Sequence, residues 1–296
     1  MIIKIILLNY NNYVDTIECV NSLKKIEYDG QYNIVIVDNN SNNDSVKQLI
    51  DYYKLISSSK GYDTEYYTRE NLTLLINKEN RGFSAGNNFG IKFNDGIEYD
   101  YIWLLNNDTV VEKRTLVELT NYSLQYRLDL CSSRIKDYYK SNISEYDYLM
   151  NFYLISAKKV LKSNSKPKLD YLSGTSLLIS TNCISKVGLL DENYFLYYED
   201  ADYTQRVKKC GLNIGLCVNS VVNHKEGGST GLGKARKINS FTYQKYLESK
   251  YRFGKTYGKS QPILLLSMFL SICKALLRRQ YKVSINIIKY MFGFVL

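Results

Sequence analysis

Three short stretches of this chain carry residue types that could do chemistry. The first is Asn106-Asn107-Asp108-Thr109, which closes an apolar run beginning at Tyr101. An apolar strand that delivers a lone carboxylate into a polar turn can hold a divalent cation. Hard oxygen ligands suit Mg²⁺ or Mn²⁺, and such ions keep waters and share a substrate's phosphates, so one carboxylate can suffice. The second stretch, about ninety residues later, is Tyr197-Tyr198-Glu199-Asp200-Ala201-Asp202. A carboxylate within hydrogen-bond reach of a hydroxyl can take its proton as that hydroxyl attacks, an effect on the order of 10²–10⁴ in rate. The third is His224, the sole histidine; neutral imidazole is a common metal ligand. Together these suggest a metal-assisted enzyme acting on a nucleotide-linked substrate. Each also has a plainer reading. Asn, Asp and Thr favour turns and helix caps, acids favour a helix start, and a lone histidine is often structural.

The surrounding pattern predicts the elements that position these residues. Met1 to Leu8, Ile34 to Val37, Leu72 to Ile76 and Tyr101 to Leu105 are apolar runs, as in strands buried on both faces of a parallel sheet. Val14 to Ile26, Val46 to Leu55 and Leu116 to Tyr126 have helical spacing. Between them, Gly82, Gly86 and Gly90 fall on one face of a helix that can approach the sheet closely. Alternating strands and helices predict an open, mostly parallel α/β sheet, whose ligand sits beyond the carboxyl ends of the strands. Three polar breaks lie at such ends: Asn9 to Asn12, Asp38 to Ser41, and Asn106 to Thr109. Lys136 to Lys168 reads as a loop or small helical excursion, and Tyr171 to Ser180 as a further strand.

The phrases that carry a resemblance are Leu8-Asn9-Tyr10-Asn11, Val37 to Ser41, Asn80 to Asn88, Leu105 to Thr109, Ser173-Gly174-Thr175, and Val187 to Glu192 leading into Tyr198 to Asp202 and Arg206. In this order the chain resembles the family 2 glycosyltransferases, within them the rhamnosyl- and galactofuranosyl-transferase-like branch. The resemblance implies a GT-A fold, a Rossmann-like sheet flanked by helices, in a catalytic domain taken as residues 1–235; residues 236–296 read from their own pattern as a basic amphipathic helical extension. It implies an inverting transfer from a nucleotide-diphosphate sugar, UDP- or dTDP-linked, with Mn²⁺ or Mg²⁺, to a glycan or lipid-linked acceptor. Asp108 looks like the metal carboxylate of a DXD motif and His224 like a further metal ligand. Asp200 sits where the family places its base. Asp38 and Asn39 look like nucleobase or ribose contacts and Tyr10 like a base-stacking residue, with Asn9, Asn11, Arg81, Asn88 and Asn107 on the donor side. Gly174, Glu199 and Asp202 are expected near the acceptor or donor sugar. The motif here has one carboxylate, and the QxxRW signature of processive relatives is absent, so single additions are expected.

Composition sets the rest. The net charge is +10, yet Lys234 to Leu296 alone carries 13 Lys or Arg against one acid, Glu248. Such asymmetry points to an anionic surface partner. Ile263 to Leu277 is largely apolar with a narrow polar stripe at Ser267, Ser271, Lys274 and Arg278. Its clean apolar stretch is shorter than the ~20 residues a bilayer span needs. A basic amphipathic tail fits the interface of an anionic membrane; packing on the catalytic domain or a helix-mediated oligomer would bury the same faces. Six cysteines without CxxC spacing argue against zinc knuckles. The opening apolar run contains Lys4 and ends too soon for a secretory segment, so a reducing cytoplasm at the inner membrane face is expected. A nucleic-acid binder would explain the basic tail but gives the acidic phrases no task. A catalytically inactive assembly partner is the other alternative.

Overall fold

The computed structural model describes residues 1–58, 65–139, 146–161, 169–225 and 239–293. The apolar runs form strands as expected. β1 (Ile2–Asn9) is joined by α1 (Tyr13–Leu23) to β2 (Gln31–Asp38), and the two strands pair in parallel, Asn9 opposite Asp38. After α2 (Ser45–Tyr53) come two short strands that the sequence pattern did not separate, β3 (Ile56–Ser57) and β4 (Tyr66–Arg69). They form an antiparallel margin on β5 (Leu72–Ile76). α3 (Gly82–Lys92) returns the chain to β6 (Tyr101–Asn106), parallel to β1. Then follow β7 (Thr109–Val111), α4 (Thr115–Gln125), β8 (Leu130–Asp137), and the separate antiparallel hairpin of β9 (Tyr146–Asn151) and β10 (Ser156–Leu161). β11 (Ser176–Ser180), α5 (Thr181–Val187), α6 (Glu199–Lys209) and β12 (Ile214–His224) complete the region, and α7 (Ser240–Tyr257), α8 (Gln261–Leu277) and α9 (Tyr281–Met291) follow.

Among the described residues the main sheet runs β3-β4-β5-β2-β1-β6-β11-β8-β12-β7. β5, β2, β1 and β6 are parallel neighbours, β8 and β12 are parallel, and β11 lies antiparallel between β6 and β8. This is a mostly parallel mixed sheet with helices on both faces. Strand alternation divides the core. Ile3, Ile5 and Leu7 of β1 face a cluster with α1, α2 and α4, whereas Ile6 joins the cluster of the other face. Tyr243, Leu247 and Phe253 of α7 are buried in that second cluster together with Leu177 and Leu216. The C-terminal helices therefore finish the core of the sheet domain.

The glycines of α3 serve close approach, as their spacing predicts. A Cβ on Gly86 would sit 2.4 Å from Leu8 Cδ1, and one on Gly90 2.9 Å from both Ile6 Cγ2 and Val37 Cγ2. Two expectations need correction. The described parts of 136–168 are strand, with no helical excursion. Tyr148 and Met150 of β9 are buried on alternate positions, and Ile155 in the hairpin turn is fully buried. The regular strand after Tyr171 is confined to Ser176–Ser180, and the residues before it bend.

Candidate active site

The carboxyl ends of β1, β2 and β6 carry one connected polar network. Asn9 Nδ2 donates to Asp38 Oδ2 (2.6 Å), and Asn9 Oδ1 accepts from Thr16 Oγ1 (2.8 Å). Asp38 accepts from the Ser41 backbone N–H (2.8 Å) and hydroxyl (2.7 Å), and Ser41 Oγ accepts from the Asn11 N–H (2.8 Å). Asn11 has φ 56°, a left-handed conformation that asparagine tolerates. Asn107 Nδ2 donates to Thr16 Oγ1 (2.8 Å). Asn39 Nδ2 donates to Asn80 Oδ1 (2.9 Å) and the Gly82 carbonyl (3.2 Å), and its Oδ1 accepts from Asn77 Nδ2 (3.0 Å). Buried polar groups need such partners. Through these bonds Asp38 and Asn39 also hold the surrounding loops in place. Tyr10 stands half-buried at the same edge.

Asp108 lies between β6 and β7. Thr109 pairs with His224 across the antiparallel β7–β12 contact, and the Lys225 N–H donates to the Asp108 carbonyl (3.0 Å). This clasp brings His224 Nε2 to 3.0 Å from Asp108 Oδ1. Lys225 Nζ in turn donates to Asp15 on α1 and to Glu18 Oε2 (2.6 Å). Burial opposes the ammonium, but the hydrogen bonds to Asp15 and Glu18 outweigh it and raise the lysine above its ordinary range. Sequence reasoning did not single out this lysine. Its available signal was an acid pair, Asp15 and Glu18, one helical turn apart just beyond the first polar break.

The Asp108–His224 pair fits a divalent ion. Adjacent ligands of an octahedral ion with bonds of ~2.1 Å lie about 3 Å apart. Among the described residues no group of three or more His, Cys, Asp or Glu could hold a metal. Water and phosphate oxygens would have to complete such a shell.

Asp200 is carried to the same edge by a different route. The Asn106 N–H donates to the Thr175 carbonyl (3.0 Å), joining β6 to the approach of β11. The next residue back, Gly174, donates its N–H to Asp200 Oδ2 (2.9 Å), and the Ala201 N–H donates to Oδ1 (2.7 Å). A side chain on Gly174 would crowd this contact, since its Cβ would lie 3.2 Å from Asp200 Cβ. Tyr197 and Tyr198 both have left-handed φ, 70° and 66°, uncommon for bulky residues and a frequent mark of functional sites. Tyr198 is held there by its hydroxyl on the Ile155 carbonyl (2.8 Å) and its ring beside Phe253. Asp108 thus follows Asn106 by two residues, and Asp200, at the start of α6, is tied by hydrogen bond to Gly174, the residue before Thr175.

The neighbouring acids do other work. Glu199 is buried, and its Oε2 finds no hydrogen-bond partner among the described residues. Burial first, and then the charge of Asp200, holds its carboxyl well above the usual range. Asp202 accepts from Arg206 Nε (2.8 Å) and the Tyr257 hydroxyl (2.9 Å). The Tyr257 contact ties α6 to α7.

Asn88, expected on the donor side, donates to the Leu190 carbonyl (2.9 Å) and Glu192 Oε1 (3.1 Å) and accepts from the Leu190 N–H (3.1 Å). Exposed Arg81 lies 3.5 Å from Glu79 and 3.4 Å from Glu192. The start of α3 is closed by Phe195, whose carbonyl accepts from the Phe83 N–H (2.7 Å) and lies 2.2 Å from where a Gly82 Cβ would stand. At this helix start, packing of small residues takes the place of an open anion site.

The chain has relatives among known proteins. The chain is similar to the low-salt glycan biosynthesis hexosyltransferase Agl10 of Haloferax volcanii, 23% identical over 241 residues, 77% of this chain and 78% of that protein. It is similar to the rhamnosyltransferase WbbL of Escherichia coli K12, 24% identical over 197 residues, 55% of this chain and 75% of that protein. Among solved structures, GalNAc-T7 with UDP, GalNAc and Mn²⁺ superposes with a TM-score of 0.63 at 14% identity. That match covers 83% of this chain and 47% of GalNAc-T7, and it establishes a GT-A-type fold. The family model described as glycosyl transferase family 2 matches residues 4–188, which include β1, β2, β6, the Asp108 turn and Gly174. The chain therefore belongs to glycosyl transferase family 2 and is a glycosyltransferase.

Proposed function

We propose that the protein makes a single inverting transfer of a sugar from a UDP- or dTDP-linked donor to a hydroxyl of a glycan or lipid-linked acceptor in cell-surface polysaccharide synthesis. One observation carries this reading: Asp108, paired with His224, lies two residues beyond Asn106, and Asp200 is hydrogen-bonded to Gly174 beside Thr175, the partner of Asn106 across β6 and the approach of β11. Asp108 and His224 would hold Mn²⁺ or Mg²⁺, which when bound neutralises charge on the departing diphosphate. Asp200 takes the acceptor hydroxyl's proton as that oxygen bonds to the anomeric carbon. The bond from that carbon to the diphosphate oxygen breaks, and the nucleoside diphosphate leaves with the electron pair. Attack on the face opposite the leaving group inverts the centre through an oxocarbenium-like transition state.

Gly174 and Ala201 hold Asp200 in one orientation through their N–H groups. Tyr10 and Arg81 are assigned to the donor directly. Asn9, Asn11, Asp38, Asn39, Asn88 and Asn107 act by fixing the loops around it. Residues 1–235 form the catalytic unit and residues 236–296 the extension that closes its core. The hexosyl- and rhamnosyl-transferase relatives support transfer into a glycan, and GalNAc-T7 supports a nucleotide diphosphate with Mn²⁺. Six free thiols suit a reducing compartment.

Asp200→Asn keeps the shape and removes the base. It is expected to lower transfer by on the order of 10²–10⁴ while calorimetric affinity for the donor with Mn²⁺ stays near wild type. Retained turnover would refute the assignment of the base.

A further inference from the structure

We infer that α8 and α9 form a docking surface for an anionic lipid bilayer, with the helices lying in its plane. Helix α8 is apolar nearly all round. One stripe, Leu264, Met268, Ile272 and Ala275, is buried. The flank toward α7 and α9 is fixed by Lys250 Nζ donating to Ser267 Oγ (2.7 Å) and Ser284 Oγ donating to the Ile272 carbonyl (3.4 Å). On the remaining face Leu266, Phe269 and Leu270 are 58%, 60% and 59% exposed and Leu277 is 87% exposed. A surface helix ordinarily carries charge there. Helix α9 and its end add exposed Ile285, Ile288 and Phe292. Scattered exposed leucines are ordinary, whereas an apolar face continued over two helices marks a contact surface.

Charge decides what the contact is. Lys274, Arg278, Arg279, Lys282 and Lys289 are exposed around this face, and no acid follows Glu248 in the sequence. A second copy meeting it across a two-fold axis would set these cations against their equivalents with no carboxylate to answer them. An anionic bilayer answers both features, since the acyl boundary takes the Leu and Phe side chains and the headgroups take the cations. No helix among the described residues is long and apolar enough to cross a membrane, so the contact is interfacial.

Helix α7 links this surface to the active site. Its Tyr246 ring lies 5.8 Å from those of both Tyr197 and Tyr198, and its Tyr257 bonds to Asp202, so α7 touches the chain on both sides of Asp200. The consequence rests on the proposed reaction: a docked enzyme holds its base beside an acceptor anchored in the same bilayer. The docking itself does not depend on that reaction.

Flotation of the full chain with phosphatidylcholine vesicles, with and without phosphatidylglycerol, tests the inference. Binding is expected to the anionic vesicles, weakening as salt rises. The triple variant Leu266→Ser/Phe269→Ser/Leu270→Ser removes only exposed side chains. It is expected to keep the wild-type unfolding midpoint and to bind at least about tenfold more weakly. The inference is overturned if the wild type stays in the aqueous fraction with anionic vesicles, or if the folded variant floats as well as wild type. It is also overturned if light scattering shows a wild-type dimer that the variant dissolves, which assigns the face to a second copy. Donor hydrolysis measured without vesicles separates the two ideas, because its absence counts against the proposed reaction and leaves the lipid result standing.

Discussion

Asp200 and Glu199 are adjacent carboxylates with opposite surroundings. Asp200 is half-buried with a backbone N–H on each oxygen, whereas Glu199 is buried beside it with an orphaned oxygen. Environments that drive two neighbouring acids apart are a usual mark of divided roles. The elevated carboxyl of Glu199 has a consequence for stability. In the unfolded chain it ionises near its ordinary pKa of ~4.3, while the folded protein retains the proton, so the native state binds more protons above that pH. Its contribution is full below that range and is lost as pH rises toward the elevated native value. Glu199→Gln keeps the shape without the charge. Unfolding midpoints measured from pH 4 to pH 8 should fall less steeply in this variant than in wild type. Equal slopes would place the charged form of Glu199 in the native protein.

At the same scale, Asp108 and His224 stand out in the sequence because each ends an apolar run at a strand end, and Asp200 because three acids fall within four positions. Lys225, the neighbour of His224 that bonds to α1, was not legible. Its partners Asp15 and Glu18 are 210 and 207 positions away, and no local period encodes such a contact. Lys225→Met should weaken activation by Mn²⁺ about tenfold by loosening the support behind the ligands. An unchanged Mn²⁺ dependence would remove the clasp from the account.

Among elements, the entry to β11 and the start of α6 act as a pair, because the Gly174 N–H sets the position of Asp200. Gly174→Ala would force that contact to widen by a few tenths of an ångström, given the 3.2 Å approach of its Cβ to Asp200 Cβ. The expected result is a fall in kcat of about tenfold, since small misplacements of a reacting group are costly, with KM for the donor nearly unchanged. A rise in KM alone would instead make this glycine a donor contact. The parallel strands β1, β2, β5 and β6 and the glycine face of α3 could be read from periodicity. The strands β3 and β4 could not, because two and four residues leave little alternation to detect.

For the whole molecule, the basic tail and the catalytic sheet look separable by composition but share a core. Phe253 of α7 is fully buried beside Tyr198, two residues before the proposed base. Phe253→Ala should cost about 3–5 kcal/mol, and denaturant unfolding should remain a single transition for wild type and variant. Two transitions would show the C-terminal helices to be an independent unit, contrary to the packing seen here.

In the proposed reaction Asp108 and His224 stand on one side of the donor sugar and Asp200 on the other. Anomalous diffraction from crystals of the Asp200→Asn variant grown with Mn²⁺ and an intact UDP- or dTDP-sugar addresses it directly. The expected map places the ion on Asp108 and His224 and the anomeric carbon facing residue 200 from the side away from the diphosphate. An ion bound elsewhere, or a sugar beyond the reach of residue 200, would contradict the account.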